Sequence, residues 1–333
     1  IDLRRKQKIA QSSMLYESDV ISAPNLESIY DIPGHFLQEN LDVKLLKKLH
    51  LKKRTNTVAQ TDKRRWNTFV KKTKNPKQYI TIAIIGKYFG TGDFILSDAY
   101  VSVIEALKFS GAEAGIKVNI DWLQAQDFEG TAGKSKLKEL KKYGGVIVPG
   151  GFGTSGIDGK LAVIEYARTN KIPFLGICLG MQMASVEFAR NVLGLKNAHS
   201  TEMCVDTEHP IIDILPEQKE KLRKGDYGGS MRLGSYTAQL KKGSLARKIY
   251  KSDSISERHR HRYELNTIGN EYRDLFEKNG LLITGTSPDG VLPEIIELDQ
   301  KLHPFFVAVQ FHPELQARPL NPHPLFTAFV KSA

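Results

Sequence analysis

From about residue 79 onward, short apolar runs alternate with longer amphipathic stretches. The apolar runs are bounded by Gly or Pro and predict buried strands at 79–86, 117–123, 145–148, 171–177 and 306–311. Stretches with helical apolar spacing predict helices at 97–110, 157–169, 179–190, 270–278 and 324–332. This alternation predicts an α/β fold with an open, mostly parallel sheet that is flanked by helices.

The stretch 203–300 has a different pattern. Apolar and polar positions alternate more regularly there, and the sequence Ser-Pro-Asp-Gly at 287–290 is a hairpin signal. We therefore expect this stretch to add antiparallel strands to the sheet. In open α/β folds ligands bind at the carboxyl ends of the strands, so we expect the functional residues at that edge.

The basic character of the chain is confined to its front end. The 333 residues carry a net charge of +11, and residues 1–78 hold 17 Lys and Arg against 8 Asp and Glu. Trp66 and Phe69 lie among these charges, as in a nucleic-acid-binding patch. We favour an amphipathic linker that docks through one apolar stripe, and we rank nucleic-acid contact second. The stripe consists of Val43, Leu45, Leu46 and Leu49.

We divide the chain into three parts: residues 1–50, a basic linker at 51–78 and a catalytic domain at 79–333. The two cysteines, Cys178 and Cys204, are too few for a disulfide framework. No apolar run approaches the roughly 18 residues of a membrane span, and no signal-peptide pattern is present. These features predict a cytoplasmic protein with no membrane partner.

Cys178 occupies a position that is typical of a nucleophile. It follows the predicted strand 171–177 and precedes the predicted helix 179–190, with Gly176 and Gly180 two residues away on each side. This is the glycine spacing of the nucleophile elbow, in which a tight turn exposes the central side chain. The helix N-terminus would favour a thiolate and offer backbone N–H groups to an oxyanion. The alternative is a small buried structural cysteine.

Two further segments supply the other parts of an acyl-transfer site. Strand 306–311 leads into His312 and Glu314, which strand alternation would place on the same side, so that the carboxylate orients the imidazole base. Strand 145–148 leads into a glycine-rich turn at 149–153, whose N–H groups suit a developing negative charge. By itself such a turn is common and is usually only a turn.

These segments carry a family resemblance. The sequences PGGFG at 149–153, PFLGICLGMQ at 173–182 and FHPE at 311–314 resemble the class I (triad) glutamine amidotransferase domain. Further segments are similar to the CTP synthase family, namely 86–88 with 98–107, 197–202, 228–234 and 257–264. The resemblance spans 79–333 in the family's order, and residues 1–50 resemble the end of that family's synthetase domain.

The resemblance implies a flavodoxin-like core and hydrolysis of the side-chain amide of glutamine. Cys178 would attack the amide carbonyl, His312 would transfer the proton, and Glu314 would hold His312. Backbone N–H groups of Gly151 and Leu179 would form the oxyanion hole. The residues implied in glutamine binding are Gly150, Gln182, Glu202, Arg260 and Arg262, and those implied in contact with a GTP effector are Phe152 and Arg232.

For a full-length family member the resemblance implies a homotetramer in which ammonia passes to a synthetase domain. That domain uses ATP and Mg to convert UTP into CTP, and GTP activates the glutaminase. The sequence at 130–135 ends like a phosphate loop, but its glycine spacing fails. We therefore expect no cofactor in this fragment, and glutamine hydrolysis without CTP synthesis. Because the chain opens on Ile1, we expect 1–50 to be a truncated remnant.

Three alternatives remain open. A domain that keeps the fold but serves as a binding module would not be expected to retain Cys178, His312 and Glu314 together. Another triad amidotransferase, or a γ-glutamyl hydrolase, would share the elbow and FHPE but not the later segments. His259 and His261 could form a metal pair, but no third ligand accompanies them, so we expect no metal site.

Overall fold

A computed structural model describes residues 2–52, 57–87, 90–91, 94–95, 100–214, 218, 231–267 and 271–333. The chain divides into two compact units, Ile1–Asn75 and Pro76–Ala333. That residues 1–50 are the end of a synthetase domain and that residues 51–78 are a linker stays a prediction.

The first unit is helical. Its helices are α1 (Leu3–Ser12), α2 (Ile32–Gln38), α3 (Leu41–Lys48) and α4 (Thr57–Lys74), and short 3₁₀ turns cover Glu17–Asp19 and Ile29–Asp31. Asp2 caps α1, since its side chain accepts a 2.8 Å hydrogen bond from the Arg5 backbone N–H.

The aromatic residues of the basic segment pack inside this unit. The Trp66 indole N–H donates to the Tyr30 carbonyl over 3.0 Å, and the rings of Tyr30 and Phe69 lie 5.0 Å apart, edge to face. Phe69 is buried, whereas Val43, Leu45 and Leu49 of the predicted docking stripe are exposed. Packing therefore accounts for the aromatic residues that suggested a nucleic-acid patch.

The second unit contains a large sheet flanked by helices. Its strands are β1 (Gln78–Gly86), β2 (Gly90–Thr91), β3 (Phe94–Ile95), β4 (Ile116–Gln124), β5 (Gly145–Val148), β6 (Phe174–Ile177), β7 (Ala198–Ser200), β8 (His209–Ile214), β9 (Arg232–Leu240), β10 (Ser254–His261), β11 (Tyr263–Leu265), β12 (Leu281–Thr286), β13 (Pro293–Leu298) and β14 (Phe306–Val309). Its helices are α5 (Val101–Ala114), α6 (Gly130–Leu137), α7 (Ile157–Thr169), α8 (Leu179–Asn191), α9 (Leu245–Tyr250), α10 (Glu271–Lys278) and α11 (Pro324–Ser332). Short 3₁₀ turns cover Ala125–Phe128, Lys138–Lys142 and Pro313–Gln316.

Nine strands form the main sheet, in the order β10-β9-β12-β13-β14-β6-β5-β1-β4. The neighbours from β14 to β4 are parallel, and those from β10 to β14 are antiparallel. All four added antiparallel strands come from the stretch 203–300, so the predicted fold class is confirmed. A smaller sheet has the order β11-β8-β7, and β2 pairs with β3.

The core lies around the central parallel strands. All residues of β5 and β6 are buried, and Phe174 stacks on Phe306 with their ring centroids 4.5 Å apart. Helix α7 packs against α8, and α5 packs against α11. These tightly packed strands fix the positions of the loops that follow their carboxyl ends.

Several predicted boundaries differ from the structure. Strand β6 begins at Phe174 and not at 171, because Lys171 has a φ of 57° that no extended strand contains. Strand β14 ends at Val309, two residues before the predicted end. Helix α5 runs on to Ala114, and predicted helix residues 97–99 and 270 lie outside the described residues.

Candidate functional site

The candidate catalytic residues follow the carboxyl ends of three neighbouring parallel strands. Strand β6 lies between β5 and β14, with Gly176 opposite Val148 on one side and Ile177 opposite Val309 on the other. Cys178 follows β6 directly, Gly150 follows β5, and His312 follows β14. The three residues therefore converge at the carboxyl edge of the sheet.

Cys178 sits in a strained turn between β6 and α8. Its φ of 51° and ψ of −103° are unusual for a residue with a side chain, and its thiol is largely buried. The backbone holds this conformation from both sides: the Cys178 N–H donates to the Val309 carbonyl over 2.7 Å, and the Met181 N–H donates to the Cys178 carbonyl over 3.0 Å. The thiol is thus fixed at the N-terminus of α8.

The two flanking glycines permit close backbone packing. A Cβ atom on Gly180 would lie 2.1 Å from the Val148 carbonyl oxygen, and one on Gly176 would lie 2.8 Å from the Ala308 Cβ. Neither glycine has a positive φ. The elbow therefore needs them for space against β5 and β14, while Cys178 itself takes the strained dihedral angle.

His312 and Glu314 form a hydrogen-bonded pair. The distance from His312 Nδ1 to Glu314 Oε1 is 2.7 Å, and both side chains are mostly buried. The prediction placed these side chains on one side of a continuing strand, and that reasoning is wrong: Glu314 lies in the 3₁₀ turn Pro313–Gln316. The turn folds the carboxylate back toward the imidazole.

The imidazole is held in its charged form by its two neighbours. Burial works against a charge on His312, but the neighbouring Cys178 and Glu314 outweigh it and raise the pKa of His312 to about 10. Glu314 engages Nδ1, so Nε2 is the ring nitrogen that is left to exchange a proton with the thiol. The geometry suits a thiolate–imidazolium pair.

The glycine-rich turn after β5 packs directly on this pair. A Cβ on Gly150 would lie 2.7 Å from His312 Cε1 and 3.6 Å from the Cys178 Cβ. A Cβ on Gly151 would lie 3.3 Å from Leu179 Cδ2, so Gly151 adjoins the first residue of α8. The Gly151 backbone thus lies against the Leu179 side chain, and these are the two residues predicted to form the oxyanion hole.

Phe152 and Glu202 border the same turn. The Phe152 side chain is 74% exposed, and its carbonyl accepts a hydrogen bond from the buried Lys87 ammonium, which also lies 5.0 Å from its ring centroid. Glu202 Oε1 accepts a 3.2 Å hydrogen bond from the Gly153 N–H. Sequence reasoning missed Lys87, although it follows a buried strand directly.

Gln182 is buried in the interior. Its side-chain Nε2 donates to the Tyr263 carbonyl over 3.0 Å and to Gln310 Oε1 over 3.4 Å. Gln310, in turn, donates from Nε2 to Cys178 Sγ over 3.7 Å. Sequence reasoning missed Gln310; the available signal was a polar residue at the end of the apolar run Phe306–Val309, just before the FHPE motif.

Arg260 and Arg262 belong to the edge of the sheet. Arg260 is exposed on β10, the edge strand, and Arg262 is half-buried just after it. His259 and His261 lie on the opposite, buried face of β10, where His259 Nδ1 and His261 Nε2 are 2.9 Å apart. Burial, together with the nearby charges of Arg232 and His312, lowers the pKa of His259 to about 3. The His259 ring is therefore neutral.

Arg232 lies beneath the surface, in a buried ion-pair cluster. Its guanidinium binds Glu264 over 3.1 Å and Glu294 over 2.8 Å and lies 4.6 Å from the Tyr236 ring centroid. Burial raises the pKa of Glu264 to about 8, against the opposing effect of Arg232. Residues 228–230, which belong to the segment 228–234 that resembles the CTP synthase family, lie outside the described residues.

The described residues hold neither a metal-ligand cluster nor a membrane-spanning helix. No group of three or more His, Cys, Asp or Glu side chains in that part of the chain is arranged to hold a metal ion. Among the described helices, none combines the length and the apolar character that a membrane span requires.

Residues 95–332 match the family described as glutamine amidotransferase class-I. The chain is 48% identical over 327 residues to a CTP synthase of Caldanaerobacter subterraneus and 46% identical over 336 residues to a CTP synthase of Methanococcus aeolicus. These alignments cover 98% and 100% of this chain but only 57% and 59% of the two relatives.

A solved structure is also similar. The glutaminase domain of Trypanosoma brucei CTPS, which has acivicin bound, is 35% identical to this chain with a TM-score of 0.68. The match covers 76% of this chain and 93% of that domain.

Proposed function

We propose that this chain, which belongs to the class-I glutamine amidotransferase family, hydrolyses L-glutamine through Cys178, His312 and Glu314. The chain is homologous to the glutaminase domain of CTP synthases. The observation that carries this proposal is the convergence of a strained thiol with the 2.7 Å His312–Glu314 pair at one sheet edge. A buried structural cysteine needs neither the strained turn nor the charged partner.

The proposed reaction is acyl transfer through a thioester. The Cys178 thiolate attacks the side-chain carbonyl carbon of glutamine, and the tetrahedral intermediate collapses as the C–N bond breaks and His312 gives its proton to the departing ammonia. Water then attacks the γ-glutamyl thioester and passes a proton to His312. The C–S bond breaks, and glutamate leaves. Glu314 keeps the imidazole oriented and balances its charge.

The backbone N–H groups of Gly151 and Leu179 are proposed to stabilise the oxyanion of both tetrahedral intermediates. The adjacency of the Gly151 backbone to the Leu179 side chain supports this pairing, and Gly150 shapes the turn that brings them together. Loss of one such donor typically costs about 100- to 1,000-fold in kcat.

Glutamine binding is proposed to involve Gln182, Glu202, Arg260 and Arg262. Glu202 supports this best, because its carboxylate borders the glycine turn and can receive the substrate ammonium. Either exposed or half-buried Arg side chain can pair with the substrate carboxylate. Gln182 uses its amide N–H groups on protein partners, so any contact with the substrate would involve its oxygen or its backbone.

We further propose that the ammonia serves CTP synthesis. This chain spans 57% to 59% of two CTP synthases that it resembles, and the proposed partner is a synthetase domain that uses ATP and Mg to aminate UTP in pyrimidine biosynthesis. A cytoplasmic homotetramer activated by GTP belongs to the same proposal. The exposed Phe152 ring beside the glycine turn supports a nucleotide contact there. Arg232 is buried against Glu294, so its proposed role is to hold the neighbouring segment and not to touch the nucleotide itself.

Covalent labelling and glutaminase assays together test the proposed activity. A chloroketone analogue of glutamine should add one mass increment at Cys178, and purified protein should release ammonia from glutamine. Cys178→Ala should lose both. Cys204→Ala is the matched control, since Cys204 is the exposed second cysteine and should leave both unchanged. Ammonia release by Cys178→Ala at the wild-type rate would refute the nucleophile.

A further inference from the structure

Gln310 is a fully buried polar side chain whose amide contacts the nucleophile. We propose that Gln310 is a further catalytic residue, whose side-chain N–H stabilises the thiolate of Cys178, and that Gln182 positions this amide. The inference rests on the proposed function in one respect: it takes Cys178 as the nucleophile.

The hydrogen-bond chain fixes which end of the Gln310 amide faces the sulfur. The Tyr263 carbonyl can only accept, so Gln182 must present its NH₂ group there. The same NH₂ group reaches Gln310 at 3.4 Å, where only an oxygen can accept its second N–H. The Gln310 oxygen is therefore turned toward Gln182, and its nitrogen is turned toward Cys178 Sγ.

The backbone fixes the distance between the two groups. The Gln310 N–H donates to the Glu294 carbonyl over 2.9 Å, and the Cys178 N–H donates to the Val309 carbonyl over 2.7 Å. Both residues thus follow paired strands of the main sheet. The 3.7 Å separation of Nε2 and Sγ is consequently set by the core and not by a mobile loop.

The charge on the sulfur determines how much this hydrogen bond contributes. A neutral thiol is a weak acceptor, whereas a buried thiolate gains strongly from a donated hydrogen bond. His312 also stabilises the thiolate, but it must surrender its proton to the leaving ammonia. The amide of Gln310 cannot exchange a proton under these conditions, so it stabilises negative sulfur without competing in proton transfer.

The same contact assists the second half of the reaction. When the thioester breaks, the electron pair of the C–S bond returns to sulfur as glutamate forms. A donor already aimed at Sγ stabilises this leaving group at the moment when charge develops. Gln310 should therefore affect both formation and hydrolysis of the thioester.

The test replaces Gln310 with Met, which has similar size but no donor, and with Glu, which places a carboxylate at the sulfur. Iodoacetamide alkylation of Cys178 is followed as a function of pH by mass spectrometry. Because a hydrogen bond to a charged group contributes about 1.5–3 kcal/mol, Gln310→Met should slow alkylation at neutral pH by about 10- to 100-fold. The midpoint of its pH profile should move to higher pH, and Gln310→Glu should move it further.

Glutaminase kinetics provide a second readout. Gln310→Met should lower kcat with a smaller change in KM, because the hydrogen bond acts on the sulfur and not on bound glutamine. Gln300→Met is the control: Gln300 is exposed just after β13, its amide oxygen accepts a hydrogen bond from Lys248, and the variant should keep the wild-type alkylation profile.

Each outcome decides the inference. A folded Gln310→Met protein with the wild-type alkylation profile and kcat would overturn it and leave Gln310 as packing. If that variant fails to fold by circular dichroism, Gln182→Met replaces it. That variant keeps Gln310 but removes the hydrogen bonds from Gln182 to Gln310 and to the Tyr263 carbonyl, so the Gln310 amide loses its orientation. Its alkylation profile should shift in the same direction, and an unchanged profile would overturn the inference. If Gln310→Met shifts the alkylation profile but the wild-type protein does not hydrolyse glutamine, the proposed function is wrong and the inference about Gln310 stands.

Discussion

His312 Nδ1 lies 2.7 Å from Glu314 Oε1, and the two residues are joined by Pro313 at the start of a 3₁₀ turn. Pro313 fixes its own φ and opens the turn, so the short loop itself brings the carboxylate to the imidazole. With Cys178 in the turn that follows the neighbouring strand β6, this pair holds a charged imidazole in a mostly buried site.

Glu314→Gln should keep the fold but lose most of the activity. The amide can still accept a hydrogen bond from Nδ1, but it no longer carries the charge that helps raise the pKa of His312. We expect kcat for glutamine hydrolysis to fall about 100-fold or more. Steady-state ammonia release measures this, and a variant within twofold of wild type would contradict the role of Glu314.

Gly150→Ala should displace the catalytic base. The new Cβ would lie 2.7 Å from His312 Cε1, closer than real Cβ contacts allow, so the imidazole or the turn must move. A displacement of about 1 Å can cost about 100-fold in rate. Gly34→Ala is the control, since a Cβ there meets nothing within 4 Å. Full activity of Gly150→Ala would show that this packing is not required.

The raised pKa of His312 predicts a pH-dependent stability. Its folded value of about 10 lies above the ordinary 6.5, so the charged ring stabilises the folded state fully below about pH 6.5, and this contribution is lost as the pH rises through about 10. Glu314→Gln removes the carboxylate that helps raise the pKa, and carboxylates do not ordinarily titrate in that window. The free energy of unfolding of the wild type should therefore fall relative to this variant between pH 6.5 and 10.

Urea unfolding at several pH values measures this difference, with Glu271→Gln, at an exposed carboxylate on α10, as the control for losing a charge. A difference between wild type and Glu314→Gln that stays constant across the window would contradict the coupling of carboxylate and imidazole.

Arg232→Met should destabilise the catalytic unit. The substitution leaves Glu264 and Glu294 buried without their guanidinium partner, which typically costs about 3–5 kcal/mol of unfolding free energy. Arg258→Met, at an exposed position on β10, should cost far less. A loss below about 1 kcal/mol would argue that Arg232 serves ligand contact and not the buried cluster.

The sequence predicts the fold well where local pattern decides it. Helices α7 and α11 begin and end at the predicted residues, because their apolar spacing is a local feature. The contact of Gln310 with Cys178 has no local signal, since it depends on β14 lying beside β6. The burial of Arg232 depends likewise on Glu264 and Glu294, which are distant in the chain.

Trapping the intermediate tests the central claim most directly. Protein mixed with glutamine is quenched in acid, digested and analysed by mass spectrometry. We predict that the peptide containing Cys178 gains the mass of one γ-glutamyl group, and that Cys178→Ala protein shows no such gain. Rapid glutamine hydrolysis with no adduct at Cys178, under conditions in which a thioester survives the quench, would contradict the account.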